Sequence, residues 1–311
     1  MSLFDPFVSF IQSSDWKSWV LIAMVPIFAL TIVVEAWRFR RTGVYGLKDS
    51  AASLLLGAGY LIPEAAMQAL VVVAMMGWVH EFRLMDIPTN AGTFALLYVL
   101  VDLLFYVYHR TSHRVRWFWA THVVHHASEH MNFTTAARQS TLYAVSGAFI
   151  FFAPAALLGF EIEWITFALA LNLAGQWFLH TQWIRRLPRA IEFILNTPSH
   201  HRAHHGRNGD YIDCNFGGSL IIWDRLFGTF VPESDEEPPE FGIVRQVRSY
   251  NPVWLNLHEW ADMFRDVARP GPLWLRLKHL WAPPEWQRPA KAGQAAQDEV
   301  VSRVGIEPTT T

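Results

Sequence analysis

The chain has 311 residues, 52% of them hydrophobic, 14% aromatic and only 17% charged, with a mean hydropathy of +0.16; soluble domains carry about a quarter charged residues, so the deficit points to lipid. A net charge of −2 without a clustered basic face argues against a nucleic-acid partner. The single cysteine, Cys214, excludes an internal disulfide, a Cys-ligated iron–sulfur cluster and a zinc finger, which leaves nitrogen and oxygen to hold any metal.

Crossing a bilayer as a helix takes about 20 largely apolar residues, and Trp19 to Trp37 meets that length with Glu35 only near its end. Met1 to Asp15 has no basic segment and no small-residue cleavage site follows the apolar run, so this span is read as a retained anchor. Further apolar runs extend from about Ala51 to Val79, from Thr93 to Tyr108, and within 141–159 and 163–181. Arg38, Arg40, Arg41 and Lys48 follow the first run, Arg110, Arg114 and Arg116 the third, and Arg185, Arg186 and Arg189 the fifth. The loops His80 to Asn90 and Gly159 to Glu163 carry almost no excess positive charge. By the positive-inside rule, five spans with the N-terminus outside fit every loop. The expected fold is therefore all-α and integral to the membrane, with about five transmembrane helices and a cytoplasmic helical cap that carries the histidines.

Residues 1–231 are expected to form the transmembrane and catalytic part. Residues 231–240, ValProGluSerAspGluGluProProGlu, read as an acidic, Pro-rich linker that cannot pack as helix. Within 232–284, Val253, Leu257, Trp260, Phe264 and Val267 recur at helical spacing, and Leu273 to Trp281 is rich in Trp and Leu. Both stretches suit helices lying on the membrane surface or on the protein's own cap. Residues 285–311 read as a disordered tail.

Of the 14 histidines, ten fall within 109–130 or 200–205. Box one is His109-x3-His113, box two His122-x2-His125-His126, and box three His201-x2-His204-His205 with His200 just before it. Spacings of three and four place side chains on one helical face, so each box offers two or three imidazoles to one point. His80, His258 and His279 lack such partners and read as ordinary hydrogen-bonded polar residues, and His130 as solvent-facing or outer to the site. His180 closes the fifth apolar run with Asn172 and Gln176 on the same face; these two suit interhelical hydrogen bonds, and His180 reads as a further ligand. Asp102, seven residues before His109 and inside the third run, reads as an acceptor for a box-one imidazole. Trp117 and Trp119 read as interfacial anchors, and Gly217, Gly218 and Gly228 as turn residues. Eight to ten imidazoles exceed what one ion binds, so two metal ions are expected, and imidazole alone does not choose among iron, zinc, copper and nickel. The boxes contain no carboxylate, which suits oxygen activation better than a hydrolytic zinc pair. A metal transporter and a zinc-dependent membrane hydrolase are the rival readings.

The motifs HRTSH at 109–113, HVVHHASE at 122–129, NFTTAARQS at 132–140, NTPSHHRAHHGRN at 196–208 and IIWDRLFGTF at 221–230 closely resemble the sterol desaturase and fatty acid hydroxylase superfamily, nearest its alkylglycerol monooxygenase-like bacterial members, over about residues 95–232. The resemblance implies a non-haem diiron centre, dioxygen as cosubstrate, a lipid or sterol-like substrate that is hydroxylated or desaturated, and an external electron donor of reductase, ferredoxin or cytochrome type. It implies iron ligands at His109, His113, His122, His125, His126, His201, His204 and His205, with His180 and His200 also matching histidines of that branch. Arg114 stands where alkylglycerol monooxygenase has a glutamate after the second box-one histidine, from which turnover without added tetrahydrobiopterin is expected. No Walker loop, complete dinucleotide fingerprint or haem module occurs in the sequence, consistent with electrons arriving from a separate protein.

Overall fold

The structure is a computed structural model that describes residues 16–289, all of whose named elements are helical. Three helices are long and apolar enough to cross a membrane: α1 (Trp16–Arg38), α2 (Leu47–Glu81) and α3 (Ala91–Arg114). α2 is interrupted by one π turn at Gln68–Val72. α3 begins at a capping box in which Asn90 and Thr93 satisfy each other's backbone N–H groups, and it ends where Val115 turns extended. α4 (Arg116–His126) follows at once, so boxes one and two sit on two helices joined by a single residue. A single turn, α5 (Phe133–Ala136), then leads into the apolar run at 141–159.

That run is not one long helix. It consists of 3-10 turns at Ala144–Ser146 and Ala148–Phe152 followed by α6 (Ala153–Leu158), and the fifth run is the 16-residue α7 (Ile162–Trp177). Both segments run between the same two ends as the long helices. At one end Leu84 donates its backbone N–H to the Leu157 carbonyl at 2.8 Å and Lys17 pairs with Glu163 at 2.6 Å. At the other, the buried Glu35 accepts from the Phe133 amide at 2.9 Å, from the Tyr45 hydroxyl at 2.6 Å, and from the Thr181 hydroxyl. A core of Val72, Met76, Leu97, Val101, Phe105, Phe152, Ile165 and Ala168 fills the space where α2, α3, α7 and the 144–158 segment meet. The five expected runs are thus present, three as long helices and two as shorter ones.

After α7 the chain forms α8 (Arg189–Ile194), α9 (Pro198–His204) and α10 (Ile222–Phe227). The segment leading into α10 packs along α3: the Tyr98 hydroxyl meets the Ser219 hydroxyl at 2.7 Å, and the Tyr106 ring stacks on Phe227. Asp102 is the fastening. It accepts from the Ser219 and Leu220 amides (2.6 and 3.1 Å), the Trp223 indole (2.8 Å) and the Asn172 side chain (2.6 Å). It makes no contact with a box-one imidazole, which corrects the role expected for it. Gly218 is required here by proximity, since a Cβ would lie 2.7 Å from Asn172 Oδ1 and 2.8 Å from Asp102 Oδ1; Gly228, at φ +72°, is a true turn glycine.

The acidic stretch 231–240 lies on the site-bearing part rather than tethering it. Glu233 takes both ends of the Arg202 guanidinium at 2.7 Å, and the Glu237 carbonyl accepts from the Tyr211 hydroxyl. α11 (Pro252–Ala268) buries Leu255 against Ala52 and Leu56 of α2, Val124 within box two and Ala127 just after it. It is tied to α4 by Arg116, which pairs with Glu259 at 2.6 Å and Asp266 at 2.8 Å. Its other face, with Val253, Leu257 and Phe264, stays exposed, as do Leu273 and Trp274 of α12 (Leu273–Lys278). Residues 285–289 remain packed, with Trp286 against His279 and Arg288 bonded to the Arg269 and Pro270 carbonyls; the rest of the expected tail, 290–311, lies outside the described residues.

Candidate metal centre

Nine of the ten expected histidines converge, in two groups. His109, His113, His122, His126 and His204 form the first, and His125, His180, His201 and His205 the second; within each group the nitrogens lie within 4.8 Å of one another. The helical spacing explains the split. His122 and His126 share one face of α4, and His125 points to the other group. On α9 and its C-cap, His201 and His205 face the second group and His204 the first. His180, in the turn just past α7, completes the second group.

His200 does not join. Its Nδ1 faces Thr197 Oγ1 at 3.3 Å and its ring packs on Phe230, on the outer side of α9. Adjacent positions on a helix point about 100° apart, so His200 and His201 cannot serve one centre. His258 and His279 are held by protein partners, the Leu255 carbonyl and Arg288, as read from the sequence. Trp117 and Trp119 have partners inside the protein: Trp117 bonds the Ser146 carbonyl and packs on Trp260, and Trp119 lies 5.2 Å from the His113 ring.

The outer nitrogens of the imidazoles fix their protonation. Nδ1 of His109, His125, His180 and His204 lies 2.8–3.2 Å from the carbonyls of Phe216, Arg138, Gln176 and Cys214 respectively. A carbonyl only accepts, so Nδ1 carries the hydrogen and Nε2 turns a lone pair to the centre. His125 and His180 then face each other lone pair to lone pair, Nε2 to Nε2, at 3.1 Å. That arrangement is repulsive unless a cation lies between them. Burial, ahead of repulsion from the neighbouring Arg138 guanidinium, pushes His125 down to about 4, which disfavours a proton as that cation. Other Nε2 pairs stand at 2.8–3.2 Å: His109 with His122, His122 with His126, His180 with His201, and His201 with His205. Two nitrogens each about 2.1 Å from one ion and at right angles lie about 3 Å apart. Nε2 of His113 and His204 is buried with no hydrogen-bond partner. The residues present therefore fit metal ions at both groups.

One short segment organises the first group. Asp213, Cys214 and Phe216 present a carboxylate oxygen to His113 Nδ1 at 3.3 Å, a carbonyl to His204 and a carbonyl to His109. Asp213 and Asn215 both adopt positive φ, +62° and +53°, conformations that asparagine and aspartate tolerate better than most residues. Asn215 holds the turn by bonding the His200 and Val231 carbonyls and the Val231 amide. The second group instead borders Arg138, which is buried, pairs with Asp49 at 3.1 Å and bonds the Val124 carbonyl. Neither Asp213 nor Arg138 was singled out from the sequence, although Arg138 lies inside the motif at 132–140.

Residues 94–229, which contain all nine clustered histidines, match the fatty acid hydroxylase family. The chain is 33% identical over 305 residues to the alkylglycerol monooxygenase of Xenopus tropicalis, covering 96% of this chain and 66% of that one. It is 42% identical over 244 residues to that of Danio rerio, covering 77% and 53%, and 26% identical over 152 residues to the ornithine lipid hydroxylase OlsE of Rhizobium tropici, covering 48% and 45%. It thus spans between about half and two thirds of the length of these alkylglycerol monooxygenases. No solved structure matches it.

Proposed function

The chain belongs to the fatty acid hydroxylase family, and on that premise we propose that it is a membrane oxygenase that hydroxylates a lipid-like substrate with dioxygen at a two-iron centre. The observation that carries the reading is the pair of carboxylate-free imidazole groups, five and four strong, at one end of an apolar helical bundle. Bound there, iron would supply the redox chemistry that turns dioxygen on an unactivated C–H bond. The chain's own residues do the rest. His109, His113, His122, His126 and His204 would hold one ion, and His125, His180, His201 and His205 the other. Backbone acceptors lock the tautomers of His109, His125, His180 and His204, so no proton has to leave these four rings when metal binds. Burial of eight of the nine rings keeps bulk water from the reacting centre, with Phe216 and Trp119 packed against His113 as apolar wall.

The bundle end that carries the histidines also carries the Arg-rich segments 38–48, 110–116 and 185–189, and by the positive-inside rule this charge supports a cytoplasmic location for that end. Electrons are proposed to come from a separate reductase or ferredoxin-type protein, without added tetrahydrobiopterin. A midplane transporter site is disfavoured because both groups lie at the helix ends and are enclosed by α9 and the 213–216 segment. The test compares lipid extracts of cells with and without the protein under air and under argon. A lipid gaining the mass of one oxygen only in air, and only with the protein, is expected; an unchanged lipid profile in air refutes the proposal.

A further inference from the structure

An open cavity of about 420 Å³ lies on the outer side of α9, away from the imidazole groups, lined among others by Arg186, Arg189, Glu192, His200, Arg225 and Phe230. Its acids are already engaged. Glu192 accepts from the Leu187 amide at 2.9 Å, the Ser199 hydroxyl at 2.8 Å and the Thr197 hydroxyl at 3.2 Å, and Glu233 is taken by Arg202. Its cations are less so. Arg225 bonds only the Glu192 and Phe193 carbonyls and lies 3.7 Å over the Phe230 ring, leaving the rest of its five N–H donors unused. Arg189 is exposed, and its guanidinium has no hydrogen bond or ion pair among the described residues. Arg186, at the rim, is engaged by Asp235 and by the Glu233 carbonyl at 2.6 Å.

The surroundings of this cationic cavity are apolar. Phe193 (61% exposed), Ile194, Leu195, Leu226 (70% exposed) and Phe227 stand outward from α8 and α10 beside it. These two elements are not remote from the membrane. The loop before α10 is fastened to α3 between Tyr98 and Tyr106, inside the stretch long and apolar enough to cross a bilayer. An exposed apolar surface at that level faces acyl chains, and guanidinium groups beside it face the headgroup layer.

We propose that this cavity seats the anionic headgroup of a membrane lipid, whose chains run over Phe193, Ile194, Leu226 and Phe227. Arg189 and Arg225 take the phosphate or carboxylate oxygens, a task for which the guanidinium fork is suited, and His200 and Ser199 form the floor. The cavity explains the one boxed histidine that turns away from the metal groups. The site is defined by its own charges and does not depend on the oxygenase reading.

Native mass spectrometry of the full chain, released from detergent with a mixture of phosphatidylglycerol and phosphatidylcholine, tests it. Retention of phosphatidylglycerol over phosphatidylcholine is expected, and Arg189→Glu should weaken it about ten-fold or more, since each basic group at a membrane surface contributes on this scale. Arg225→Gln should weaken it as well, but Arg225 also packs on Phe230, so the exposed Arg189 is the deciding position. Millimolar inorganic phosphate should displace little of the bound lipid, because it brings no chains. Equal retention of the two lipids, displacement by phosphate alone, or retention unaffected by Arg189→Glu would overturn the proposal. So would an Arg189→Glu chain that keeps its lipid preference yet loses salt-sensitive binding to an acidic redox protein, which would make the cavity a protein-docking site.

Discussion

Asp213 and Arg138 give the two imidazole groups unlike surroundings. The His113 ring donates toward a carboxylate, held below its ordinary range by that hydrogen bond and the nearby Arg114 in spite of burial, whereas His125 borders a buried guanidinium. A carboxylate behind an imidazole raises its basicity and its hold on metal; a cation nearby lowers both. Asp213→Asn should therefore weaken metal binding at the first group by roughly 10–100-fold and leave the second, so that metal titration of the purified variant shows one tight and one weakened site. Two equally affected sites would contradict this. His125→Ala and His204→Ala should each lower metal content and remove most activity, while His200→Ala and His258→Ala should retain their metal. Eight of the converging histidines were legible in the sequence because helical spacing aligns them within each box, and His180 because it continues the polar face of Asn172 and Gln176. Asp213 was not, since it works from an irregular turn whose positive φ leaves no periodic trace, and His200 was misread because family resemblance carries identity but not direction.

Asp102 shows how an element far from any imidazole sets the site. It fastens the 219–223 segment to α3 and α7, and the same strand of chain carries Cys214 and Phe216, the acceptors for His204 and His109. Asp102→Ala should strand the buried Asn172 amide at about 1–3 kcal/mol together with three part-buried donors, from Ser219, Leu220 and Trp223, and lower metal occupancy without touching a ligand. Asp102→Asn, which keeps one acceptor oxygen, should be milder; metal content and thermal unfolding measured on both variants check the order. Arg116→Ala should free α11 from α4 at a cost of about 3–5 kcal/mol, seen as faster proteolysis within 252–289 with the 94–229 region intact. The long spans were readable from hydropathy. The 144–158 run was not readable as broken, because 3-10 and α turns share the same apolar composition. The acidic stretch 231–240 was misjudged for the opposite reason: its charges suggest a solvated linker, and only Arg202 and Tyr211 show that it is bound.

At the scale of the whole molecule an apolar bundle carries, at its basic end, a buried cluster of imidazoles that could hold metal. The proposed topology rests on charge asymmetry, and it predicts that a cysteine placed at 42–47 or 185–189 is shielded from an impermeant thiol reagent in intact cells while one at 84–88 reacts. The native Cys214 is buried and gives little background. Equal labelling of both sets would overturn the orientation. The sequence displayed the class of fold and the centre together, because both depend on local periodicity, whereas the partition of the histidines into five and four depends on how α4, α7 and α9 meet. That partition is the central claim. Its most direct test is metal analysis of protein purified without oxygen from iron-replete cells: the account predicts two iron ions per chain, one at each group, falling toward one in Asp213→Asn under limiting iron. A single ion per chain, or two zinc ions with no iron, would contradict it.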